Sequence, residues 1–240
     1  MFTHYRTRGF ILKKADLGET DRLFTVYTKD FGKLELLAKA VRKIKSKLRA
    51  GLEIFYLSEI EFIQGKVYKT LTDAILIDSF KNLRQDLTKL TIACRISEVF
   101  DKSVKGQEVD EKLWYLLLET FQKLNIDKLR PETRDLLYYY FVWNLISLLG
   151  YQLELYHCSL CQKKLISENI YFNLREKCLI CSQCQKKLKT EKLLVLSPNI
   201  IKIIRILLKR DWATLKRLKI SIKDFNSLKI ISNYYLRQTE

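Results

Sequence analysis

The chain has 240 residues, 48% of them hydrophobic and 30% charged, a balance that excludes an intrinsically disordered polymer and permits a sizeable core. Its 44 Lys and Arg against 27 Asp and Glu leave a net charge of +17, with a pI near 9.6. That excess suits a polyanionic partner, whether nucleic acid, an anionic membrane surface or an acidic protein tail, although a lysine-rich composition also serves solubility alone.

The first eighty residues read as β-structure. "GFILKK" is a short apolar run, "DRLFTVYT" is rich in β-branched and aromatic residues, and "GKLELLAKA" follows the turn "KDFG". The last two make a hairpin, with Gly32 supplying the positive φ of its turn. "LEIFYLSEIEFI" and "KVYKTLTDAILI", joined at Gln64–Gly65, make another. Five strands without a helical pattern predict a small barrel, which an OB-fold or an SH3-like barrel satisfies equally.

From about Asn82 the period changes to that of helices. Leu83, Leu87, Leu90, Cys94 and Val99 fall at helical steps, which places Cys94 on an apolar face as a core thiol. "DEKLWYLLLETFQKL" repeats the pattern through Leu113, Leu116, Leu117 and Phe121. "PETRDLLYYYFVWNLISLLG" opens with Pro131 and stops at Gly150. Its apolar stretch 136–149 is too short to span a bilayer and carries Asn144 and Ser147, so a buried helix is expected. "SPNIIKIIRILLKRDWATLKRL" resumes helix with Ser197 as N-cap and Pro198 at the first helical position, and "SIKDFNSLKIISNYYLRQT" has the same character. The expected division is therefore 1–80 for the barrel and 81–240 for a helical domain, with an insertion at about 156–188.

That insertion holds five of the six cysteines. "MFTHYRTRGFILKK" lacks the apolar run of a signal peptide, so a reducing, cytoplasmic compartment is expected, where clustered cysteines bind metal rather than pair. Cys158-x2-Cys161 and Cys181-x2-Cys184 make two chelating pairs, the four-thiolate pattern of a single structural Zn2+. Cys178-x2-Cys181 is a competing pair, so Cys178 is read as a neighbour of the site and the ligand choice stays open. His157 is left out because adjacent residues do not comfortably share one ion. A catalytic zinc keeps an open position with a general base nearby, and the chain has only His4 and His157 to offer. No phosphate-binding glycine loop and no G-x-S-x-G elbow appears, and the carboxylates of "EVDE" at 108–111 sit on a polar connector. The expectation is a protein without an active site.

The basic stretch "KAVRKIKSKLR", 39–49, carries Lys39, Arg42, Lys43, Lys45, Lys47 and Arg49 and no acid. Leaving one barrel strand and entering the next, it suits single-stranded nucleic acid held through its phosphates. Arg6 and Arg8 extend the candidate patch, and Tyr5, Phe10, Tyr56 and Tyr68 are candidate stacking residues that also suit a core. Residues 200–240 add ten basic side chains against three acidic ones, a second cationic region equally compatible with a solvated helix face.

The run "RGFILKKADLGETDRLFTVYTKDFGKLELLAKAVRKIKSKLRAGLE", with Gly18–Glu19, Gly32–Lys33 and "AKAVRKIKSKL" in order, resembles the N-terminal domain of the bacterial RecO recombination-mediator family. "YHCSLC" after a helix ending in glycine, with a second C-x2-C beyond it, resembles that family's zinc element. The resemblance implies an N-terminal OB-fold, a helical domain and a zinc-finger-like insertion, in a non-enzymatic protein of RecF-pathway DNA repair and recombination. Such proteins bind single- and double-stranded DNA, anneal complementary strands and, with RecR, help RecA replace the single-strand-binding protein SSB. A nucleoid-associated location and a basic groove for the acidic SSB tail, on the 200–240 face, go with it as expectations. Two departures stand out: Ala40 replaces the usual glycine of "AKG", and Cys178 stands where a glycine is commoner. The rival reading is a zinc-ribbon RNA-binding factor of translation or transcription.

Overall fold

The computed structural model describes residues 3–65, 67–165, 170–188 and 192–236, which fall into two compact units, 1–128 and 129–240. In the first, β1 (His4–Leu17), β2 (Asp21–Thr28), β3 (Gly32–Ala38), β4 (Leu57–Ile63) and β5 (Lys69–Asp78) close into a barrel in the order β1-β2-β3-β5-β4. Only the β3–β5 pairing is parallel. This closed five-stranded arrangement is the OB-fold, and it decides between the two barrels that propensity left open.

β1 is more than twice as long as the run "GFILKK" suggests. Its first half pairs with β4, from His4↔Ile63 to Phe10↔Leu57, and its second half with β2, from Gly9↔Thr28 to Leu17↔Asp21. A bulge between Ile11 and Lys13 bends it between the two partners. At the crossover an added Cβ on Gly9 would stand 2.6 Å from Val26 Cγ1 and 2.9 Å from Ile60 Cδ1, so the barrel closes around a residue with no side chain. The β2–β3 hairpin turns through Gly32 at φ +63°, as its sequence requires.

Ile11, Phe24, Val26, Leu34, Leu36, Ile60, Phe62 and Leu71 fill the barrel. The opposite faces of β1 and β2 are buried too. Phe10 packs on Phe121 with ring centroids 4.3 Å apart, and Tyr27 on Phe100 at 4.7 Å. Those partners come from α2 (Leu87–Ser103) and α3 (Glu111–Leu124), which follow the short α1 (Lys81–Arg84). The change from strand to helix at 80/81 therefore ends the barrel but not the first compact unit, which runs to Lys128. α2 and α3 are capped by Asp86 and Asp110, each accepting two backbone N–H bonds from the first turn. The buried face of α2 is Ile92, Ala93, Ile96, Ser97 and Phe100, so Cys94 is exposed, contrary to its expected place in the core.

The second unit is organised on α4 (Pro131–Leu148), buried continuously from Leu136 to Ile146. A helix apolar all round belongs in a core. Its single deep amide, Asn144, is satisfied: Nδ2 donates to the Tyr140 and Leu207 carbonyls, and Oδ1 accepts from Arg210 Nε at 2.9 Å. No helix among the described residues is long and apolar enough to cross a membrane. α6 (Pro198–Leu208), α7 (Trp212–Arg217) and α8 (Ile222–Leu236) pack beside α4. The run expected as one helix from Pro198 is split between α6 and α7 by Arg210 at φ +56°. Ser197 precedes α6 as expected but gives it no side-chain cap, because its hydroxyl donates to Asp224 Oδ1 at 2.6 Å.

Between α4 and α6 lies a three-stranded sheet of order β7-β6-β8, formed by β6 (Ile170–Asn173), β7 (Cys178–Cys181) and β8 (Leu193–Leu196). One turn of helix, α5 (Ser182–Gln185), follows β7. Phe172 packs on Tyr235 of α8, whose hydroxyl donates to the Lys177 carbonyl at 2.7 Å. The cysteine element thus rests on the helices instead of standing as a bare loop.

Candidate nucleic-acid interface and metal centre

The basic stretch 39–49 is a structured loop. Val41 is buried at 2% exposure, and Leu48 packs against the barrel core, so two apolar residues hold it down. Its end winds into a short 3-10 turn, Lys47–Gly51, seated where a Cβ on Gly51 would collide with the Ala74 carbonyl. Lys39, Arg42, Lys43, Lys45, Lys47 and Arg49 all remain exposed. Hydrophobic anchoring and cationic display are therefore separated along one short segment.

The start of the loop is fixed to the β1–β2 turn. Asp21 Oδ1 accepts from Ala40 N at 2.7 Å and from the Thr20 hydroxyl, and Arg42 N donates to the Thr20 carbonyl. The Ala40 N–H, with Thr20 behind it, holds the Asp21 carboxyl below its ordinary value, so it stays an anion at neutral pH. Ala40 adopts φ +53°, the left-handed conformation, so the turn survives the loss of glycine.

The six loop cations are not equivalent. Arg42 reaches the Gly18 carbonyl at 3.3 Å and Asp16 at 3.5 Å, and Asp21 feels Lys39 and Lys43. Lys45, Lys47 and Arg49 have no ion pair among the described residues. Arg6 and Arg8 stand apart from the loop anchor, on the outer face shared by β1 and β4. There Arg6 Nε lies 3.2 Å from Glu59, and the register sets Arg6 opposite Glu61 and Arg8 opposite Glu59. Of the four candidate stacking residues, Phe10 is core, Tyr5 stacks on Phe62, and Tyr56 packs against the barrel beneath the Arg84 guanidinium. Tyr68 lines an open groove, with Lys33 and Lys69.

In the second unit the sulfurs of Cys158, Cys161, Cys181 and Cys184 lie within 4.8 Å of one another, and Cys178 is outside the group. A tetrahedron with Zn–S bonds of about 2.3 Å has sulfur–sulfur edges of about 3.8 Å. The Cys161–Cys181 pair stands at 3.7 Å, so the four thiols fit one tetrahedral ion and the group could hold a metal. The first pair sits in a tight turn, with Gln162 N donating to the Cys158 carbonyl and Gln162 itself at φ +59°. The second straddles the end of β7 and α5, bound to the first by Ser159 N donating to the Leu179 carbonyl.

The local electrostatics suit an anionic sulfur. Burial alone would raise the Cys158 thiol, but N–H groups of Cys161, Cys181 and Leu160 outweigh it and bring the group to about 6. Cys184 moves the other way, to about 12, through burial first and then through the neighbouring sulfurs that share its charge. Without a cation one thiol carries the charge and another keeps its proton. A metal ion removes that conflict. His157 meets Glu154 instead of the sulfurs, its Nδ1 3.5 Å from Oε1.

The family profile described as "Recombination protein O N terminal" matches residues 1–80, and that described as "Recombination protein O C terminal" matches residues 84–239. The chain belongs to the RecO family. A relative from Dehalococcoides mccartyi (strain ATCC BAA-2266 / KCTC 15142 / 195), named DNA repair protein RecO, is 31% identical over 226 residues, 94% of this chain and 87% of its own length. Proteins of the same name from Caldanaerobacter subterraneus subsp. tengcongensis and Thermoanaerobacter sp. (strain X514) are each 30% identical, covering 95% and 90% of this chain and 90% and 84% of their own. The RecO N-terminal match ends where the barrel ends, and the RecO C-terminal match takes in the cysteine cluster.

Two features of this RecO-family chain escaped the sequence. The supports of the basic loop, Asp21 and the Gly18 and Thr20 carbonyls, lie about twenty residues upstream and read as an ordinary turn. In the second unit the Arg205 guanidinium lies 4.1 Å from the ring centre of Tyr156, a pairing distant in sequence that no local pattern announces.

Proposed function

We propose that the protein is a DNA-repair factor that binds single- and double-stranded DNA, anneals complementary strands and, with RecR, helps RecA displace SSB. The observation that carries this reading is the 39–49 loop, whose cations face water while Val41 and Leu48 hold it to an OB barrel. Phosphate contacts from such a loop are sequence-independent. Cations between two strands lower their mutual repulsion, so that bases can meet and pair. No covalent step is needed, and the role is that of a mediator rather than an enzyme.

Zn2+ is the ion that four thiolates select, since it takes soft ligands in tetrahedral geometry. Held by Cys158, Cys161, Cys181 and Cys184, it would cross-link the two turns and bring no redox chemistry of its own. Cys158 and Cys184 are buried, which suits a structural rather than a catalytic centre.

The test is annealing of complementary oligonucleotides, naked and SSB-coated, across a salt series. Acceleration that fades with salt is expected. Replacing Arg42, Lys43, Lys45 and Lys47 together by Ala should weaken binding and reduce the salt slope by up to about 0.7–0.9 per lost phosphate contact. Unchanged binding and slope in that variant would remove the loop from the interface. Preference for structured RNA over single-stranded DNA would instead place the protein in RNA metabolism.

A further inference from the structure

The second unit carries an aromatic side chain displayed in an unusual way. Segment 151–156 has no regular secondary structure, with Leu153 and Leu155 buried at 6% and 3% exposure and Tyr151 and Tyr156 exposed at 45% and 51%. Tyr156 is held at both ends of its backbone: its N–H donates to Glu154 Oε1 at 2.6 Å, and its carbonyl accepts from Leu165 N at 2.7 Å. Arg205 supports one face of the ring from α6, and its Nη2 donates to the neighbouring Leu155 carbonyl. Arg205 Nε is buried without a hydrogen-bond partner, and no carboxylate among the described residues neutralises the guanidinium.

α6 turns Ile200, Ile201, Ile203, Ile204 and Leu207 into the core and leaves Lys202, Arg205 and Lys209 on its outer face. Spaced at i, i+3 and i+7, these three cations form a row about 10 Å long at the helical rise. Beside the row lies a groove of about 340 Å³, lined by Gln152, Glu154, Tyr156, Arg205, Leu208 and Lys209. That volume suits one nucleotide.

We infer that the Tyr156–Arg205 platform and the Lys202–Lys209 row form a second single-stranded DNA site, in which a base stacks on Tyr156 and its phosphates lie along α6. The inference rests on the reading of the protein as a DNA-binding factor and adds a site outside the barrel. A ring pinned by its backbone and backed by a cation loses little freedom when a base covers its open face, and every base has a π-face to offer. Gln152 carries both a donor and an acceptor for the edge of that base. An acidic peptide fits less well, because its carboxylates have no flat π-face to lay on the exposed Tyr156 ring, whereas the Glu154 carboxylate in the lining repels either anion alike. Annealing requires two strands to be held at once, and a second site supplies the second hold.

The test uses the full-length, zinc-loaded protein and oligo(dT) bearing one 5-iodouracil, irradiated and mapped by peptide mass spectrometry. A crosslink at Tyr156 is expected. Tyr156→Ala should lower affinity about tenfold, the scale of one lost stack, while Tyr156→Phe retains it. Paired Lys202→Ala and Lys209→Ala should flatten the salt slope, with metal content and melting temperature unchanged as the control for folding. Crosslinks confined to the 39–49 loop would overturn this inference and leave the proposed function standing. Absence of any salt-dependent DNA binding would overturn both. Tyr156-dependent capture of a fluorescent acidic peptide, with no oligonucleotide crosslink at that residue, would overturn the assignment in favour of a protein-docking surface.

Discussion

Ala40 shows how a single side chain leaves its mark on the basic loop. The position demands φ +53°, where a Cβ crowds the backbone, and Asp21 enforces it by accepting the Ala40 N–H. A left-handed conformation costs an L-residue about 1–2 kcal/mol, part of which glycine gives back through the greater freedom of its unfolded chain. Ala40→Gly should therefore stabilise the protein by about 0.5–1 kcal/mol, read as a higher urea midpoint at unchanged m-value. A lower midpoint would mean that the alanine methyl contributes packing greater than its strain. The loop cations were legible as a charge run, because a run of like charges without acids is visible in any sequence. Their ranking was not. Arg42 is committed to Asp16 and the Gly18 carbonyl, whereas Lys45 and Lys47 are free to meet phosphates, and only the fold reveals the difference.

At the scale of elements, the cysteine pairs were legible because two residues between ligands is a local constraint, and chelating turns are built locally. The strands around them were not singled out: β6, β7 and β8 are four residues each, too short for a period-two pattern to stand out. β1 reads as a strand only at its centre, where Phe10, Ile11 and Leu12 are buried in succession. Its ends alternate with solvent-facing side chains and resemble loop. Helical spacing puts Leu87 and Cys94 on the apolar stripe of α2, yet both face solvent while Lys89 and Ser97 are buried. Ser97 Oγ donates to the Leu12 carbonyl and Lys89 Nζ to the Ile126 carbonyl. Buried polar residues with partners defeat a hydrophobic count. Cys178 tests the element directly. It begins β7 opposite Asn173, while Cys181 ends the same strand among the other three sulfurs. Cys178→Ser should keep one zinc per chain in a colorimetric metal assay, and Cys184→Ser should lose it. The reverse pattern would move the ligand set by one C-x2-C step.

For the whole molecule, the two compact units make the consequences of metal loss separable. The barrel owes its closure to five strands and a continuous apolar interior, and none of its residues approaches the cysteines in sequence. The buried apolar side chains of the β7-β6-β8 sheet are Ile170, Phe172, Leu179, Ile180 and Leu196, too small a core to hold without the proposed metal cross-link. If the proposed zinc is bound, chelation should therefore speed amide exchange in β6, β7 and the turn at Cys158–Gln162, while β1 to β5 keep their protection. Because thiolates must be freed of protons to bind metal, zinc affinity should fall as pH is lowered, in a competition titration against a chelator of known proton affinity. Cys184, pushed up to about 12 in the metal-free protein, takes back a proton throughout the neutral range, and Cys158, at about 6, adds its own only near pH 6. DNA binding by the 39–49 loop should survive chelation. A crosslink at Tyr156, only two residues from Cys158, should weaken along with the sheet. If exchange in the barrel rose in step with exchange in β6 and β7, the metal would be supporting the entire chain, and the assignment of a local structural zinc would fail.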